Sequence, residues 1–207
     1  MDLKHKIGIG LSYLMHLSVA IMVIMSATEK NYGVVVLGVL ALIIMSVPSL
    51  LKRKFKITLP WTLNFLIAFS LFLHIWGFVG GWYDTLYPFY DKFGHFIGSF
   101  TIALLGFTSV LIIDRHTKVE LTNKSIIFFV IIFTLAVGTI WEIGEFSIDK
   151  ILGTTAQDSL DDTMIDLVFD LIGGVVAGGI GYVKLRKGKE KFIDFLLKDI
   201  GLKRINK

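Results

Sequence analysis

An all-helical bundle crossing a membrane about six times is the fold class the sequence predicts, on three observations. Of the 207 residues 54% are apolar, and the mean hydropathy is +0.72. The apolar residues gather in runs near or above the ~20 that carry a helix across a bilayer core. The lysines and arginines sit between those runs instead of along one face of a soluble fold.

The first run, Ile7 to Ala27, follows Lys4 and Lys6 and so resembles a signal peptide. It is as long as a full span, however, and Met25-Ser26-Ala27 is a poor cleavage site, so a retained helix is expected. Thr28 to Tyr32 turns the chain into a second span over Gly33 to Leu51. The basic loop Lys52, Arg53, Lys54 and Lys56 closes at Pro60, a residue suited to a helix start. A third span covers Trp61 to Trp82, and the aromatic segment Tyr83 to Tyr90, broken by Pro88, suits the lipid–water boundary. Spans four, five and six are expected over Asp91–Ile113, Ser125–Phe146 and Asp161–Val183. Residues 1–183 thus form one membrane domain, with its site-forming part at about 83–178, and 184–207 form a basic tail. In the tail Phe192, Ile193, Leu196, Leu197 and Ile200 recur at helical spacing beside Lys191, Lys198 and Lys203. A short amphipathic helix on the inner leaflet, held by apolar insertion and anionic lipid, is the expectation.

Cytoplasmic flanks collect basic residues, and 18 of the 21 lysines and arginines fall on one side if both termini are inside. Only Lys30, Lys92 and Lys150 fall on the other. The net charge of +4 therefore speaks for membrane flanks and against a nucleic-acid partner. The absence of cysteine excludes disulfides and thiolate metal sites.

This topology, set by the cations alone, brings every acid-rich stretch to the outer side. Asp91 and His95 are four apart and share a helix face; Glu142 and Glu145 are three apart and do the same. Asp162, Asp166 and Asp170 continue at four-residue steps, each ~6 Å deeper along a helix. Ionised carboxylates crowded where water is scarce repel one another and lose hydration. A metal ion, shared protons, the cationic head of a partner or exposure to water would offset that cost. Oxygen donors with one imidazole suit Mg²⁺, Mn²⁺ or Zn²⁺. The candidate ligands are Asp91, His95, Glu142, Glu145, Asp158, Asp162 and Asp166, and His95, Lys92 and Glu142 are the candidate catalytic groups.

Plainer readings stand beside these. Asp91 suits a helix N-cap, and a lone histidine such as His95 is more often a packed helix residue. Asp158 and Asp161 read first as solvated loop or capping residues. Glu142, Asp166 and Asp170 lie inside spans, where an ionisable group is a functional hypothesis by default. His16 and His74 are single histidines in apolar surroundings, and Trp141 either joins the aromatic belt or walls the cleft. Gly173, Gly174, Ala177, Gly178 and Gly181 read as a packing stripe.

Y-D-K-F-G-H at Tyr90 to His95, W-E-I-G-E at Trp141 to Glu145, and Q-D-S-L-D-D-T-M-I-D at Gln157 to Asp166 resemble small prokaryotic membrane proteins of the YjdF type, and more distantly VanZ-like proteins. The resemblance covers about Tyr83 to Gly178. It departs at Gln157-Asp158, where a glycine is expected between the two. It implies a multi-pass protein of a prokaryotic plasma membrane and carries no settled activity; some VanZ-like proteins are linked to resistance to a glycopeptide antibiotic.

Three functions are compatible with these residues. The first is a metal-dependent hydrolase or transferase acting on a lipid head group or lipid-linked phosphate at the outer face. The second is a non-enzymatic protein in which a cation ties helices together. The third is transport of protons or a divalent cation past Asp162, Asp166 and Asp170. A homo-oligomer is compatible with each.

Overall fold

A computed structural model describes residues 3–117 and 119–199. These residues form seven helices and no strand: α1 (Leu3–Thr28), α2 (Tyr32–Phe55), α3 (Trp61–Gly80), α4 (Trp82–Thr85), α5 (Phe89–His116), α6 (Asn123–Leu152) and α7 (Leu160–Asp199). All but the four-residue α4 are long and apolar enough to cross a membrane, so six spans result, as expected. The outward faces carry large apolar side chains such as Phe128 and Ile151, 69% and 78% exposed, which belong in lipid and not in water.

The helix ends follow local chemistry. Asn31 Oδ1 accepts from the Val34 N–H at the start of α2, and Thr122 Oγ1 accepts from the Ser125 N–H at the start of α6. Gly81 and Gly153 end α3 and α6 at φ +67°, a left-handed conformation that glycine adopts without strain. α6 ends six residues later than the expected Phe146, because Ser147 to Leu152 continue the helix.

Two apolar cores form. One joins α1, α2 and α3 around Val19, Ala41, Met45, Ala68 and Ile75; the other joins α5, α6 and α7 around Ala103, Phe107, Leu111, Ile126 and Val130. Tyr90 Oη donates to the Leu73 carbonyl at 2.7 Å and ties α5 to α3. The glycine stripe is a packing device: a Cβ on Gly173 would meet the Phe96 carbonyl and the Phe100 amide of α5, and one on Gly181 would meet the Phe107 ring.

The tail departs from expectation. α7 runs through residue 183 and breaks only at Gly188, φ +148° and ψ +86°. Beyond that break Ile193 and Leu196 are buried in the α5–α7 core, so they are unavailable for insertion into the lipid. An apolar stripe looks the same in sequence whether lipid or protein covers it. Ion pairs from Lys189 to Asp114 and from Arg115 to Glu190, at 2.8 and 2.9 Å, fasten this segment to α5. Ile200 and Lys203 lie outside the described residues, as do the side chains of Leu197 and Lys198.

Candidate functional site

The first turn of α5, the C-terminal third of α6 and the first three turns of α7 lie at one end of the second core. Antiparallel neighbours place these stretches at one depth. α5 begins at Phe89 with Pro88 as its N-cap, so Asp91 lies within the first turn and does not cap the helix. The cap at the start of α7 is Ser159, whose Oγ accepts from the Asp162 N–H at 3.1 Å. Asp161 is exposed, in keeping with a solvated residue.

At the centre is a lysine. Lys92 Nζ donates to Asp91 Oδ2 at 2.8 Å, to Asp162 Oδ1 at 2.5 Å and to Asp166 Oδ1 at 2.7 Å. Its side chain is only 7% exposed, and that of Asp166 is 3% exposed. An ammonium has three protons to give, and all three are used. The sequence offered Lys92 as a candidate catalytic cation and did not show its partners; the fold makes it the hub of three carboxylates from two helices.

His95 forms a second hub one turn deeper. Its Nδ1 lies 3.3 Å from Asp170 Oδ1, while Nε2 faces Glu142 Oε1 at 3.5 Å and both Asp91 Oδ1 and Asp166 Oδ1 at 3.7 Å. Gly138 on α6 makes room for Asp170, because a Cβ there would collide with its carboxylate. Donor atoms of Asp91, His95 and Asp166 lie within 4.8 Å of one another. Glu142 Oε1 and Asp170 Oδ2 are buried without a hydrogen-bond partner. Five carboxylates thus surround one ammonium and one imidazole, leaving negative charge that seeks protons or a cation.

Two expected ligands stand apart. Glu145 Oε1 accepts from Trp141 Nε1 at 2.9 Å, and Asp158 is exposed at the rim of the site. The desolvation that remains at that rim, then the charges of Asp162 and Asp91, raise the Asp158 carboxyl above its ordinary value. His74 does reach the neighbourhood: its Nδ1 shares a 2.6 Å hydrogen bond with Tyr83 Oη, and its ring meets Trp141 edge-on at 4.6 Å. Burial, then Asp91, pushes the Tyr83 phenol up, so it remains a hydroxyl. Trp141 therefore walls the site and carries Glu145 on its indole nitrogen.

Asp149 is the residue that sequence reasoning passed over. Its carboxylate accepts from Thr154 Oγ1 at 2.6 Å and from the N–H groups of Ala156 and Gln157 at 2.7 and 2.8 Å. Gln157 Nε2 in turn donates to Thr163 Oγ1 at 2.8 Å, so the loop between α6 and α7 is pinned from both ends. With the helix expected to end at Phe146, Asp149 fell in the loop; in the structure it stands in the last turn of α6, where a carboxylate opposes the helix dipole and needs donors.

An all-helical fold with six spans and a buried carboxylate cluster defines a multi-pass membrane protein. The chain belongs to the family described as predicted membrane protein (DUF2238), which matches residues 11–187. It is similar to an uncharacterized protein of Thermotoga maritima, 36% identical over 129 residues, 61% of this chain. The chain spans 65% of that relative's length. No solved structure matches it.

Proposed function

We propose that the cluster binds a divalent cation and serves a metal-dependent hydrolase or transferase acting on a lipid head group or a lipid-linked phosphate. The observation that carries this reading is the convergence of Asp91, His95 and Asp166 donor atoms within 4.8 Å, with Glu142 Oε1 unpartnered beside them. The donor set fits Mg²⁺, Mn²⁺ or Zn²⁺, since it is oxygen with one imidazole nitrogen. Asp91, His95, Glu142 and Asp166 would hold the ion, and when bound it supplies an activated water and a counter-charge for phosphate. Asp162 and Lys92 border the ligands and fix Asp91 and Asp166 in place. Asp170 holds His95 through Nδ1, leaving Nε2 facing the cluster.

A second reading is favoured by one observation: the Lys92 ammonium already sits where a cation would neutralise three carboxylates. On that reading the cluster is an assembly lock without turnover. Transport fits less well. Below Asp170 the second core is apolar, and the buried hydroxyls of Thr101, Thr108 and Thr134 each donate to their own helix four residues back.

Elemental analysis of protein purified without chelator tests the proposal. Near-stoichiometric Mg, Mn or Zn is expected in the wild type and its loss in Glu142→Ala and Asp162→Ala, with all three proteins inserted in the membrane. Retained metal in both variants removes Glu142 from the ligand set and Asp162 as a residue that holds the site in place. No metal, together with no thermal stabilisation on adding each ion, overturns the metal reading and leaves the lock.

A further inference from the structure

The end of the molecule away from the carboxylates holds a cavity of about 420 Å³ where α1, α3, α5 and α7 meet. That volume lies within the ~300–1,000 Å³ of small-molecule sites. Its walls are apolar: Leu104, Phe107, Ile180, Phe192 and Leu196 contribute. The last two arrive only because the backbone turns at Gly188, so the tail helix closes one side of the groove.

Thr62, Thr108, His5 and Lys184 break the apolar pattern of the lining; Lys184 is a cation and His5 brings ring nitrogens that can donate a hydrogen bond. His5 approaches from the start of α1, with its ring 6.2 Å from that of Trp61, and Lys184 stands exposed on α7. Among the described residues no carboxylate lines the groove. A neighbouring cavity of about 480 Å³ differs in this respect, since Asp114, Glu120 and Glu190 line it beside Arg115 and Lys189. The groove is thus apolar along its length and positive at its rim. Further basic residues crowd this end of α2 and α7: Lys52, Arg53 and Lys54 in the last turn of α2, and Arg186 and Lys187 after Lys184.

We propose that this groove is a binding site for one anionic phospholipid, with an acyl chain along the Leu104–Phe107–Ile180 wall and the phosphate between Lys184 and His5. The occupant follows from charge complementarity. A membrane-spanning protein meets amphiphiles of this kind laterally, and a cation near the bilayer surface favours an anionic head group by about fivefold. Exposed Ile180, at the α7 edge, leaves the groove open to a chain arriving from the bilayer. The proposal is independent of the metal reading, because the two sites lie at opposite ends of the bundle.

Native mass spectrometry tests it, using the full chain released from nanodiscs of equal phosphatidylglycerol and phosphatidylcholine. The wild type is expected to retain one phosphatidylglycerol, about fivefold in excess over phosphatidylcholine. Lys184→Glu should reduce that preference to near parity, and Ile180→Trp, which fills the groove from an exposed position, should reduce retention of both lipids. Lys30→Glu, at the carboxylate end, should change neither. Unchanged thermal stability in the three variants establishes that each is folded. No lipid preference in the wild type, wild-type retention in Lys184→Glu or Ile180→Trp, or an equal loss in Lys30→Glu overturns the proposal.

Discussion

Lys92 is where one side chain decides the fate of several others. Replacing it with methionine leaves Asp162 and Asp166 facing one another without an ammonium, and breaking a buried pair of this kind costs about 3–5 kcal/mol. Lys92→Met is therefore expected to lower the unfolding midpoint by many degrees. If the cluster accepts divalent ions, added Mn²⁺ should raise that midpoint more in the variant than in the wild type, since the ion then has no ammonium to displace. Thermal unfolding with and without the ion measures both effects. Asp158 gives the opposite sign. Its carboxyl is raised above 3.8 in the folded protein, so its favourable contribution is complete below that pH and is lost as pH rises through the folded value. Asp158→Asn should thus stabilise the protein at pH 7 relative to the wild type, with the difference shrinking as the pH approaches 4; a constant difference across that range would refute the assignment.

At the scale of elements, close approach between α5 and α7 depends on Gly173. Alanine there meets backbone atoms of Phe96 and Phe100, which cannot rotate away, so a loss of about 1–3 kcal/mol is expected. Gly179, two turns on, has nothing within 4 Å, and alanine there should be neutral or stabilise the helix by up to about 1 kcal/mol. Unfolding midpoints of the two variants, measured side by side, test whether the stripe packs or merely occurs. The same contrast explains what was legible in the sequence. Long apolar runs reveal that helices exist, and four-residue spacing reveals which acids share a face. The partner of that face is not encoded in spacing, so Lys92 read as a candidate catalytic cation without its three acids and Asp170 as one step of a series. Ser147 to Leu152 are polar enough to resemble a loop, yet Asp149 finds its donors in the residues that follow and the helix continues. The tail stripe was visible, and its covering by α5 was not.

For the whole molecule, the asymmetry of charge predicts an orientation. The carboxylate end carries few lysines, and the opposite end carries the basic loop of α2 and the run from Lys184, so the latter should face the cytoplasm. The chain has no cysteine, which makes single-site labelling direct. Cysteine at exposed Thr155, in the loop between α6 and α7, should react with an impermeant maleimide in intact cells, whereas cysteine at exposed Lys187 should react only after permeabilisation. The reverse pattern would invert the topology and place the acid cluster inside.

The three-carboxylate grip on Lys92 also bears on how the protein is made. Synthesis delivers α5 before α6 and α7, so the ammonium and imidazole are made before Glu142, Asp162, Asp166 and Asp170. α7 is the least apolar of the six spans and bears its acids near its leading end. A segment of that kind enters lipid poorly by itself. Pairing with the cations of α5 offsets that cost, so α7 is expected to insert better when α5 precedes it than when it is made alone.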